Sequence, residues 1–161
     1  MPVRRHPVAN FAQRTPVHSL PLDRPLAERL RKTYGRVRAQ ELDLAKIFYS
    51  RLFEAAPHLR PMFSSDPGSQ AAKLTAALDA VVRNLERPGE NASILAELGR
   101  RHAGYGAKRE HYDLVVGMLV ESMQEILHAA SDDPAILEWR MALRLIADQM
   151  IAAAGEPNDP D

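Results

Sequence analysis

The chain has 161 residues, 45% of them hydrophobic and 26% charged, the make-up of one globular domain with a proper core. Lys plus Arg equal Asp plus Glu at 21 each, so no overall field recruits nucleic acid or anionic lipid. The absence of cysteine excludes disulfides, thiolate metal sites, CxxC redox chemistry and covalent cofactor attachment through CxxCH.

No apolar run approaches the roughly 20 residues of a membrane span. Arg4 and Arg5 are followed by prolines where a signal peptide needs an apolar stretch. A soluble, cytoplasmic protein with no membrane partner is the expectation.

Residues 1–24 hold Pro2, Pro7, Pro16 and Pro21 without sustained periodicity and read as a flexible arm. Four arginines against one aspartate make it basic; a solvated leader accounts for it more simply than an anchor for a partner. Asp23, Pro25 and Glu28 start a helix, carried on by Leu26, Leu30, Tyr34 and Val37, with a bend or junction expected at Gly35. The next helix, in "AQELDLAKIFYSRLFEAAP", places Leu44, Ile47, Phe48, Leu52 and Phe53 on one side and stops before Pro57. "HLRPMF" reads as a tight corner and "SSDPGS" as a loop.

Residues 69–86 form a third predicted helix, with Leu74, Leu78, Val81 and Leu85 in line, and "ERPGENAS" is read as the loop that ends it. A shorter helix, 92–103, carries His102. A strong helix follows in "REHYDLVVGMLVESMQEILHAA", with Tyr112, Val115, Leu119, Met123 and Ile126 aligned. "SDDP" supplies a cap and a first-turn proline for the last helix, 135–154. The final seven residues, "GEPNDPD", are an acidic tail. No period-two run is long enough for a strand, so an all-α domain of six to eight helices is expected.

His102 lies four residues after Leu98 and seven after Leu95, on one face. On the residues alone, a core histidine with a backbone partner is the favoured explanation. A lone nitrogen ligand is the other.

The wider pattern alters that balance. A helix with an inward histidine, a glycine-rich corner and "EHY" opening a long helix resembles the proximal region of a globin. "FYSRLFEAAPHLRPMF" resembles the B-to-C signature of bacterial single-domain globins and of the globin half of flavohaemoglobins. "QAAKL" is similar to their distal E helix, and "WRMALRLIADQMI" to their last helix. The resemblance runs from about Pro25 to Ala154.

It implies a globin fold around one haem pocket, with haem b held non-covalently and its iron ligated by His102. Phe63, Leu74, Leu98 and Val115 are the implied apolar slot, and burial of a macrocycle there is favoured at about 25 cal/mol per Å². Tyr112 matches the family tyrosine that braces the proximal histidine. If the second ring nitrogen of His102 donates to a carbonyl near Leu98, tautomer and ring orientation are both fixed. Tyr49 and Gln70 are the implied distal donors to a bound diatomic gas, whether O2, CO or NO. Taken without the family, Tyr49 is an amphipathic core residue and Gln70 a surface one. Lys73 is expected in solvent, His58 and His128 at a cap or the surface, and His111 near the haem edge.

The pattern departs from the family in one place. Ala154 stands where the family carries a glutamate late in the last helix, and Glu156 is out of register. That argues against peroxidase-like chemistry and weakens the case for a dedicated NO dioxygenase. No flavin or nicotinamide domain follows the globin-like region, so turnover is expected to need an external electron donor.

Reversible gas binding, for oxygen transport or NO detoxification, is the leading expectation. A haem-based gas sensor acting through a separate partner is the alternative, and a haem-free globin-fold regulator a lesser one. Apolar faces left over in the last two helices leave the oligomeric state open.

Overall fold

The computed structural model describes residues 22–63 and 66–155. Most of the expected N-terminal arm, Ser64 and Ser65 of the loop, and the acidic tail beyond Gly155 lie outside the described residues. Six α-helices and one 3-10 helix make up the described chain: α1 (Arg24–Arg38), α2 (Leu44–Ala55), the 3-10 helix (Pro57–Met62), α3 (Pro67–Arg83), α4 (Pro88–Gly104), α5 (Arg109–Leu127) and α6 (Pro134–Ala154).

Aspartate sets most of the helix starts. The carboxylates of Asp23, Asp43, Asp66 and Asp133 accept from backbone N–H groups of α1, α2, α3 and α6 respectively. Each satisfies an otherwise orphaned donor, worth about 1 kcal/mol. In α1, α3 and α6 a proline in the first turn completes the signal, its fixed φ already helical.

Several boundaries differ from the sequence reading, α3 among them, which spans Pro67–Arg83 in place of 69–86. Gly35 makes no bend, because α1 runs through it to Arg38. A single glycine costs a helix only about 1 kcal/mol, less than the apolar face of α1 returns. Part of the expected loop "ERPGENAS" is instead the first turn of α4, which begins at Pro88 with Glu90 near its positive end. The corner "HLRPMF" winds as the 3-10 helix Pro57–Met62.

The core is one cluster. Leu30, Leu52, Leu95, Val120, Met123 and Ile136 are essentially sealed from solvent. Trp139 of α6 donates its indole N–H to the carbonyl of Leu30 in α1 at 3.2 Å, tying the first helix to the last. The principal packings set α4 on α6, α2 on α5 and α5 on α6, while α3 and α4 meet over a shorter stretch. At the α4–α6 crossing, Gly99 lies so close to α6 that a Cβ there would sit 2.3 Å from the Met150 carbonyl oxygen. Only glycine fits.

Candidate functional site

The end of α4 decides how His102 is presented. Gly106 takes φ +84°, a left-handed conformation suited to glycine. The chain folds back there: Gly106 N–H donates to the Ala103 carbonyl and Ala107 N–H to the His102 carbonyl, both at 3.0 Å. This closes α4 one turn beyond the histidine and starts α5 beside it. The His102 ring then lies 5.9 Å from the Tyr112 ring, centroid to centroid.

His102 Nδ1 lies 2.7 Å from the Leu98 carbonyl oxygen. A carbonyl oxygen only accepts, so Nδ1 carries the proton and donates. In the neutral ring the lone pair is therefore on Nε2, at the opposite edge. His102 is exposed among the described residues, not turned into the core as the sequence pattern suggests, and its ring is held by that hydrogen bond.

His111 has the reverse arrangement. Its Nδ1 accepts the Lys108 backbone N–H at 2.9 Å, so Nδ1 holds the lone pair and is engaged in closing the first turn of α5. Of these two histidines on one corner, only His102 keeps its unprotonated ring nitrogen unengaged among the described residues.

A second group gathers around Tyr49. Its ring stacks on Phe53 at 5.8 Å and meets Phe63 edge-on at 5.6 Å, with Phe53 and Phe63 5.3 Å apart. The four-residue step from Tyr49 to Phe53 and the end of the 3-10 helix at Met62 bring the three rings together. Burial raises the Tyr49 pKa above its ordinary value, so the phenol stays protonated as a donor. Burial raises that of Tyr112 in the same way. The Tyr112 hydroxyl is buried with no hydrogen-bond partner among the described residues.

The remaining predicted residues line the rim of the core. Phe63, Leu74, Leu98 and Val115 are each half-buried and packed against the central cluster. Gln70 is half-buried one turn before Leu74 on α3, and no hydrogen bond joins it to Tyr49 among the described residues. Lys73 and His58 are exposed, as expected. His128 caps α5 in the left-handed region at φ 51°, also exposed. Ala154 closes α6 half-buried.

Phe53 is the residue that sequence reasoning placed in the core and not in the site. Its signal was present in the Tyr49–Phe53 spacing. Arg60, lying over the outer side of Phe53 at 5.2 Å, holds the ring in place.

Comparison with known proteins places these features in a family. The globin family model matches residues 46–150. The chain is 31% identical to a flavohaemoprotein of Rhizobium meliloti over 112 residues, 68% of this chain and 28% of that protein. A flavohaemoprotein of Chromobacterium violaceum is 32% identical over 111 residues, 67% of this chain and 28% of its own length. The match thus spans little more than a quarter of those relatives.

Among solved structures, a bacterial globin from Campylobacter jejuni superposes with a TM-score of 0.71 at 23% identity, covering 82% of this chain and 96% of its own. A double mutant of myoglobin from Aplysia limacina gives 0.71 at 20% identity, covering 84% of this chain and 99% of that one. The all-helical architecture is that of these structures, and this chain belongs to the globin family.

Proposed function

We propose that the chain binds haem b non-covalently, with His102 as the axial ligand of its iron, and that it reversibly binds O2, and also CO and NO. The observation that carries this reading is the 2.7 Å hydrogen bond from His102 Nδ1 to the Leu98 carbonyl, which leaves Nε2 as a fixed, outward-facing lone pair.

The donor set fits that group. No cluster of three or more His, Cys, Asp or Glu side chains able to hold a metal ion occurs among the described residues. A single imidazole holds a metal well when a macrocycle supplies the other ligands. Half-buried Phe63, Leu74, Leu98 and Val115 offer the apolar contact such a ring needs. Haem, when bound, supplies an iron with one further coordination position for a diatomic gas.

The protein's own contribution divides between two sides. His102 provides the ligand, and Tyr112 beside it limits rotation of the imidazole. Tyr49, kept protonated by burial, donates a hydrogen bond toward the gas, and Gln70 adds an amide N–H on the same wall. A hydrogen bond to a partly charged acceptor is worth about 1.5–3 kcal/mol.

Residues 25–154 are the unit we assign to this task, in a cytoplasmic protein. Ala154 offers no carboxylate at the end of α6, and the buried polar side-chain atom without a partner in its last two turns belongs to the Gln149 amide. That favours binding over peroxide-cleaving chemistry. Any redox turnover, NO dioxygenation included, would need a source of electrons besides the haem pocket.

Stopped-flow measurement of oxygen release tests the distal assignment. Tyr49→Phe is expected to release oxygen about 10- to 150-fold faster than the parent, the kinetic equivalent of that hydrogen bond. An unchanged rate would remove Tyr49 from the site.

A further inference from the structure

The neutral total of the chain conceals a division of charge. Residues 1–38 hold nine of the 21 Lys and Arg but two of the 21 Asp and Glu, a net charge of +7, so residues 39–161 carry −7. No Asp or Glu precedes Asp23, whereas Arg4, Arg5 and Arg14 do. The expectation that no field recruits anionic lipid holds for the sum and not for this end.

α1 fixes the described part of that charge in place. Ala27, Leu30, Tyr34 and Val37 are buried, so its apolar side faces the core and its cations stand away from it. Four of them have carboxylates: Arg24 meets Glu28 and Glu86, Arg29 meets Glu138, Arg31 meets Glu86, and Arg38 meets Asp79. Lys32 and Arg36 are exposed and form no ion pair among the described residues. They sit one turn apart on the helix, where like charges repel, and both are left to solvent.

The sequence before α1 adds cations of the same sign and a second kind of residue. Arg4, Arg5 and Arg14 lie among Val3, Val8, Val17 and Leu20, with Phe11 the one Phe, Tyr or Trp of that stretch. Cations with aliphatic side chains between them suit anionic headgroups laid over hydrocarbon, where charge attracts and apolar groups enter the boundary. A single-stranded nucleic acid is gripped through several aromatic platforms instead.

We propose that this basic end docks the chain on an anionic lipid surface, with Lys32 and Arg36 of α1 and Arg4, Arg5 and Arg14 as its contacts to the headgroups. Attachment is peripheral, since no helix among the described residues is long and apolar enough to cross a membrane. Each cation at such a surface strengthens attachment by about fivefold.

Co-sedimentation of the full chain with vesicles tests it, using phosphatidylcholine alone and phosphatidylcholine with about 30% phosphatidylserine. Attachment to the anionic vesicles, none to the neutral ones, and release at about 300 mM salt are expected. Lys32→Gln with Arg36→Gln is expected to weaken attachment by about twentyfold, and Arg4→Gln, Arg5→Gln and Arg14→Gln together by about a hundredfold. The α1 variant is expected to keep the parent's melting temperature, since neither cation holds another element, and that separates lost attachment from a damaged fold. Equal attachment to neutral vesicles, no attachment to anionic ones, undiminished attachment of either variant, or tighter capture by a duplex DNA fragment than by vesicles would overturn the proposal.

Discussion

Two histidines and two tyrosines show how local partners decide what a residue does. His102 and His111 sit at one corner, yet the Leu98 carbonyl leaves Nε2 of the first as a lone pair, whereas the Lys108 N–H occupies Nδ1 of the second. Tyr49 has its phenol among aromatic rings. Tyr34 instead donates to Asp79 at 2.5 Å, and Arg38 lies 3.5 Å from the same carboxylate. Burial first, then that hydrogen bond and the Asp79 charge, raise the Tyr34 pKa well above its ordinary 10.0. A raised folded-state value means that the contribution is fully present below pH 10 and is lost as the pH climbs beyond it. Tyr34→Phe is therefore expected to cost about 1.5–3 kcal/mol at neutral pH. Denaturant unfolding followed from pH 8 to 11 is expected to show the difference between parent and variant narrowing only at the alkaline end.

At the scale of elements, glycine takes opposite values in different helices. Gly99 of α4 stands against the backbone of Met150, which cannot turn aside as a side chain can. Gly99→Ala is expected to destabilise by at least about 1–3 kcal/mol, with α4 pushed off α6. Gly35 of α1 is exposed, and a Cβ there meets nothing. Gly35→Ala is expected to stabilise by up to about 1 kcal/mol. Thermal unfolding of the two variants side by side checks both signs.

The same glycines show what the sequence could convey about the elements. Aspartate caps followed by proline announced the starts of α1 and α6, because the cap is made within four residues of chain, whereas the same pair at Asp66 and Pro67 reads as loop although α3 begins there. Gly35 looked like a bend because a weak local preference was read without the packing that overrides it. Pro88 looked like a breaker, yet at the first position of a helix its missing N–H costs nothing.

For the molecule as a whole, the fold was legible because helical periodicity and the ordered family motifs point the same way. The site was legible in part. The spacing of Leu95, Leu98 and His102 favours a core histidine on its own, and only the family resemblance singles out His102 with Tyr112; the tautomer of His102 depends on a carbonyl whose position only the folded helix fixes. Phe53 was hidden because a residue on the apolar side of α2 reads as core until its contacts with Tyr49 and Phe63 are known. The sidedness of α6 was hidden for a related reason. α6 is apolar around much of its circumference, so periodicity could not separate inward Leu143 from outward Leu137 and Met141.

The central claim is that His102 is the nitrogen ligand of a bound haem. The measurement that tests it most directly is the visible absorption spectrum of the full chain reconstituted with haem, in ferric, dithionite-reduced and CO-exposed forms, compared with His102→Gly with and without added imidazole. The account predicts a stoichiometric Soret band in the parent chain, a spectrum altered or lost in the variant, and its return when imidazole is supplied. An identical spectrum in parent and variant, or a parent chain that takes up no stoichiometric haem, would contradict it.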